Sequence, residues 1–158
     1  MKRLVMLALL LVSGAAAAAT IGTPAQVSAA LDQQGAQAFF SSLSDDDAEK
    51  LFDQISTGQA AWVALAPRLA AGADAGNAEG LGIALATALP KNPKAVLAVT
   101  DPVDADGHPI AVSRVCGIPF IETVPAGYKA KAVRAVRGVN AEQLKGIRAR
   151  CLTELEKS

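Results

Sequence analysis

The stretch QAAWVALAPRLAAGADAGNAEGLGIALATALPKNPKAVLAVT, residues 59 to 100, decides the fold. Trp62, Leu65, Ala66 and Leu69 recur at i, i+3, i+4 and i+7, as do Ala78, Leu81, Gly82 and Leu85, with Leu89 a turn further on. Both series have the spacing of an apolar helix stripe, and Trp62 is the only tryptophan of the chain. The pattern predicts a helical hairpin whose second arm, rich in Gly82, Ala84, Ala86 and Ala88, lets its partner approach closely. Pro67 inside the first arm removes a backbone donor and should kink or break it near Ala66.

Outward from this hairpin, further helices announce themselves by their caps. Thr23-Pro24-Ala25-Gln26 reads as a capping box with proline in the first helical position. Gly35 loosens that helix before the apolar patch Ala38, Phe39, Phe40 and Leu43. Ser44 followed by Asp45, Asp46 and Asp47 is a strong start signal, because the helix dipole favours carboxylates in the first turn. Gly58 is placed to close the helix that follows. Asp74 or Asn77 caps the second arm of the hairpin, Pro90 ends it, and Asn92-Pro93 starts a short helix over 94 to 99.

In the C-terminal part, Ile110 to Val115 is β-prone and reads as a short extended segment without a partner strand. Helices are predicted over Gly127 to Arg137 and after Asn140, whose pairing with Gln143 suggests a second capping box. Three helices open alike, with Ala48-Glu49-x-Leu51, Ala78-Glu79-x-Leu81 and Ala141-Glu142-x-Leu144. First-turn glutamate followed by the first buried leucine accounts for the likeness without a duplication. The expectation is an all-α domain, a compact array or bundle of about five to seven short antiparallel helices.

The N-terminus reads as an address. Lys2 and Arg3 precede an apolar run from Leu4 to Val12, and an A-x-A cleavage site falls at Ala17 to Ala19. The run is short of the ~20 residues that a bilayer-spanning helix needs, so a signal peptide over 1–19 is expected, with no stable membrane anchor after cleavage. Removal of 19 of the 158 residues leaves 139, the size of one domain, 20–158. Such a protein would be periplasmic or secreted. Its two cysteines, Cys116 and Cys151, are then expected to form one disulfide. The rival, a thiol nucleophile with a base, has only His108 to call on.

The formal net charge of zero conceals an asymmetry. Residues 20 to 110 carry 11 acidic and 4 basic side chains, whereas residues 111 to 158 carry 4 acidic and 9 basic ones. The basic residues include Lys129, Lys131, Arg134, Arg137, Lys145, Arg148 and Arg150, with Lys131, Arg134, Arg137 and Arg148 the candidate basic face. Tyr128 is the only aromatic among them, which argues against nucleic acid and leaves anionic lipid headgroups or an acidic protein. Solvated helix faces are the plainer reading of the same residues.

Chemistry-bearing patterns are few. Asp104-x-Asp106-Gly107 resembles part of a calcium loop, but alignment on Gly107 puts Pro102 and Ser113 where two essential ligands belong, so a turn is expected and no metal. Asp45 to Asp47 fan around a helix start rather than converge. No G-x-S-x-G, H-E-x-x-H, phosphate loop or C-x-x-C-H occurs in the mature part, and no cofactor is implied. The reading is a non-catalytic exported protein that binds another protein, as an inhibitor, an immunity-type antagonist or an accessory factor. Its candidate surface is Asp101, Asp104, Asp106 and His108, on the one long polar loop. A small-ligand or lipid cavity lined by Phe39, Phe40, Phe52, Trp62 and Phe120 is the alternative, and a hydrolase the third.

Overall fold

A computed structural model describes residues 21–103 and 108–158. It begins with the expected cap: the Gln26 amide donates to the Thr23 hydroxyl at 3.3 Å, and the Thr23 amide donates to Gln26 Oε1 at 2.9 Å. Helix α1 (Pro24–Ser42) is interrupted at Gly35, whose φ of 77° is open to glycine and strained for other residues. This break turns Phe39 and Phe40 into the core. In α2 (Asp45–Ser56), Ser44 accepts from the Asp47 amide and Leu51 and Ile55 are buried, while Gly58 takes a positive φ just past its end.

The first arm of the expected hairpin divides into α3 (Ala60–Val63) and α4 (Ala66–Ala70), with Pro67 in the first turn of α4, where its missing donor needs no partner. Trp62, Leu65, Ala66 and Leu69 are all buried. Arg68 anchors α4 to α1 through Ser28 Oγ at 2.7 Å and Asp32 at 2.6 Å. The second arm is α5 (Ala75–Ala88), capped by Asp74 and buried on nearly every side.

Its main neighbour is α2, not the Trp62 arm. Pro67 cuts that arm into one-turn pieces, which cannot run alongside a 14-residue helix, whereas the 12 residues of α2 can. The small residues of α5 do permit close contacts, as expected, but at other surfaces. A Cβ at Gly80 would lie 2.5 Å from the Phe52 ring on α2. A Cβ at Gly82 would lie 2.8 Å from Arg114.

Pro90 ends α5 at a cost that the fold meets from far away. The carbonyl of Ala86 would receive the amide of residue 90 in a continuing helix, and proline has none. The Tyr128 hydroxyl donates to that carbonyl instead, at 2.9 Å, alongside a 3.2 Å bond from the Leu89 amide. Burial holds the Tyr128 hydroxyl well above the ordinary phenol pKa of 10.0. Tyr128→Phe is expected to destabilise by about 1–2 kcal/mol, read from denaturant midpoints. Because the phenol ionises earlier in the unfolded chain, the stability it contributes is complete below pH ~10 and falls above it by up to ~1.4 kcal/mol per pH unit. Tyr128 is the only tyrosine. Absorbance of tyrosinate should therefore rise only with unfolding, and Tyr128→Phe should flatten this part of the alkaline stability curve.

Helix α6 (Pro93–Val99) is capped by Asn92, and α7 (Val112–Cys116) replaces the extended segment expected there. Among the described residues only Asp101 and Ala111 form an isolated bridge, a parallel one. Val112 and Val115 are buried in the core, and that burial overrides their β propensity. Helix α8 (Tyr128–Arg137) leads to a 3-10 turn (Glu142–Leu144) and to α9 (Lys145–Lys157). The Asn140–Gln143 capping box does not form, and α9 starts without a side-chain cap. Val139 and Leu144, buried on either side of Asn140, bend the chain into the 3-10 turn instead. The Cys116–Cys151 disulfide joins α7 to α9.

The described residues thus form nine α-helical segments, five of them longer than seven residues, and no named strand. One contiguous apolar cluster runs from Ile21 to Leu155. Residues 1–19, which the sequence reads as a signal peptide, lie outside the described residues.

Candidate functional site

The 101–111 loop is held at its neck by backbone bonds. The Asp101 amide donates to the Ile110 carbonyl at 2.8 Å, the Val112 amide to the Asp101 carbonyl at 3.1 Å, and the Ala111 amide to the His108 carbonyl at 3.1 Å. Asp101 Oδ1 accepts the Val103 amide at 2.7 Å, an Asx turn that leads the chain out of the neck. From α9, Arg150 donates to the Pro102 carbonyl, one residue before the cystine at Cys151. The neck is therefore tied to the terminal helix by a charged hydrogen bond next to a covalent one.

Of the four surface residues expected from sequence, the structure brings together Asp101 and His108. Asp101 Oδ2 stands 3.8 Å from His108 Nδ1, an ion-pair distance when the imidazole is protonated and too long for a hydrogen bond. Nδ1 itself is shielded from solvent and has no hydrogen-bond partner among the described residues, although both side chains are partly exposed. Asp104 and Asp106 lie outside the described residues, as does the Asp104-x-Asp106-Gly107 pattern. Val103, on the outgoing limb, is strongly exposed, and its apolar character beside two carboxylate positions did not stand out in the sequence.

The candidate basic face divides. Lys131, Arg134 and Arg137 are exposed on α8, opposite the buried Tyr128, Ala132 and Val136. Arg137 pairs with Glu156 at 3.2 Å. Arg148 leaves the set: its guanidinium turns inward to the Val139 carbonyl and holds the bend before α9.

The aromatics fall into separate groups. Phe39 contacts Phe40, Phe40 contacts Phe52 with centroids 6.5 Å apart, and Phe120 packs edge-on against Tyr128 at 4.7 Å. Trp62 shares no ring contact with either group. A surface groove of about 710 Å³ runs between α2 and α5, and Phe52 is the one of the five proposed residues on its wall. Asp45, Glu49 and Asp53, one turn apart, line the same groove.

Both cysteines are committed to the disulfide, so a thiolate nucleophile is not available. Among the described residues no group of three or more His, Cys, Asp or Glu side chains is placed to hold a metal ion. Comparison with protein-family models, with curated proteins and with solved structures found no match for this chain.

Proposed function

We propose that the chain is an exported, non-catalytic helical protein that recognises another protein through its 101–111 loop. The observation that carries this reading is the anchored neck. Asp101, Val103 and His108 adjoin a base fixed by the backbone bonds of Asp101 to Ile110 and Val112 and by the Arg150 tether, so they have little ordering entropy left to lose on binding. Asp101, His108 and exposed Val103 supply the charge and the apolar contact such a surface needs. The disulfide fits an oxidising compartment, and residues 1–19 serve as the signal that delivers the chain there. Opposite charge in the two halves of the chain steers an encounter, a property useful to an inhibitor or immunity-type antagonist.

Capture experiments with extract of the exported fraction test the reading. The parent protein should retain one stoichiometric partner, and Val103→Asp and His108→Ala should each weaken that complex by about tenfold or more. Equal retention by both variants would remove the loop from the interface. Turnover of a substrate that disappears with His108→Ala would replace recognition by catalysis.

A further inference from the structure

We infer that the 121–127 loop and the start of α8 form a docking surface for anionic phospholipid. Phe120 and Tyr128 close this loop at its base with their rings 4.7 Å apart, and every residue between them is exposed. Within it stand Ile121 and Val124, 68% and 48% exposed, two of the three large apolar side chains most open to solvent among the described residues. Aliphatic side chains held out on a closed loop meet water at a cost that transfer to a membrane interface removes.

Cations stand beside them. Lys131 Nζ donates to the Ala126 carbonyl at 3.3 Å, which places an ammonium two residues from Val124. Lys129 donates to the Glu156 carbonyl, and no carboxylate pairs with Lys129, Lys131 or Arg134 among the described residues. Glu122 is the one opposing charge within the loop. Two exposed aliphatic side chains flanked by unneutralised lysines match the shallow boundary between anionic headgroups and acyl chains. An acidic protein, which would engage the same groups, is the rival that protein-free vesicles separate. The surface is distinct from the 101–111 loop, so either proposal can fail without the other.

Sedimentation of the disulfide-bonded protein with vesicles tests this. With equal parts phosphatidylglycerol and phosphatidylcholine at about 0.1 M salt the protein should pellet, and with phosphatidylcholine alone it should stay in solution. The double variant Ile121→Ser, Val124→Ser should lower partitioning at least about tenfold while melting like the parent, since both side chains are exposed. Lys131→Gln with Arg134→Gln should lower it as well, and so should about 0.5 M salt. No partitioning into anionic vesicles overturns the proposal. So does partitioning that the serine variant leaves unchanged, or retention on an acidic polymer without any binding to vesicles.

Discussion

Trp62→Ala is expected to lower the free energy of unfolding by about 3–5 kcal/mol and the melting temperature by on the order of 10 °C. Trp62 is only 3% exposed, and it belongs to a helix of four residues. A helix that short has no stability of its own, and α3 lacks a side-chain cap. Its conformation is therefore fixed by what its side chains bury. Val63 beside it and Leu65 and Ala66 after it are buried too, so truncation of the indole leaves a cavity edged by side chains from short segments. Thermal and denaturant melts check the magnitude. The same side chain reports on itself: native emission should be blue-shifted and should move to the red on unfolding. A variant that melts like the parent would place Trp62 outside the core.

Replacing both Cys116 and Cys151 by alanine should destabilise by a comparable amount, about 3–4 kcal/mol. The bond closes a loop of 35 residues, and chain entropy alone accounts for an effect of that size. The loss should be uneven across the molecule. The five residues of α7 lean on the bond to α9, and the loop neck follows from Asp101 to Val112. Amide exchange should accelerate in α7, in α9 and at the neck before it does in α2 and α5. Alkylation of native protein without reductant should label no cysteine. Two reactive thiols in such material, or a variant as stable as the parent, would contradict the role assigned to the bond.

Much of this fold could be read from local chemistry. Thr23, Ser44, Asp74 and Asn92 each cap the helix that their position announces. Gly35 breaks α1, and Pro67 splits the arm it sits in. Such signals act within three or four residues, so sequence order carries them. Choices between distant surfaces are of another kind. That α5 lies along α2 depends on Gly80 meeting Phe52, and that Tyr128 completes the end of α5 depends on a contact 42 residues away. Val112 and Val115 favour strands by type, yet burial against α5 and α9 makes them helical. At the candidate site, Asp101 and His108 were legible because they flank one loop. The Arg150 tether and the inward turn of Arg148 were not, since a run of basic residues does not say which of them meet a carbonyl.

The cystine has a further consequence, for survival of a backbone cut. The 121–127 segment, exposed throughout and so open to an endoprotease, lies within the stretch between Cys116 and Cys151. A nick there linearises the ring without setting a fragment free, and the two pieces stay joined through sulfur with their packed partners in place.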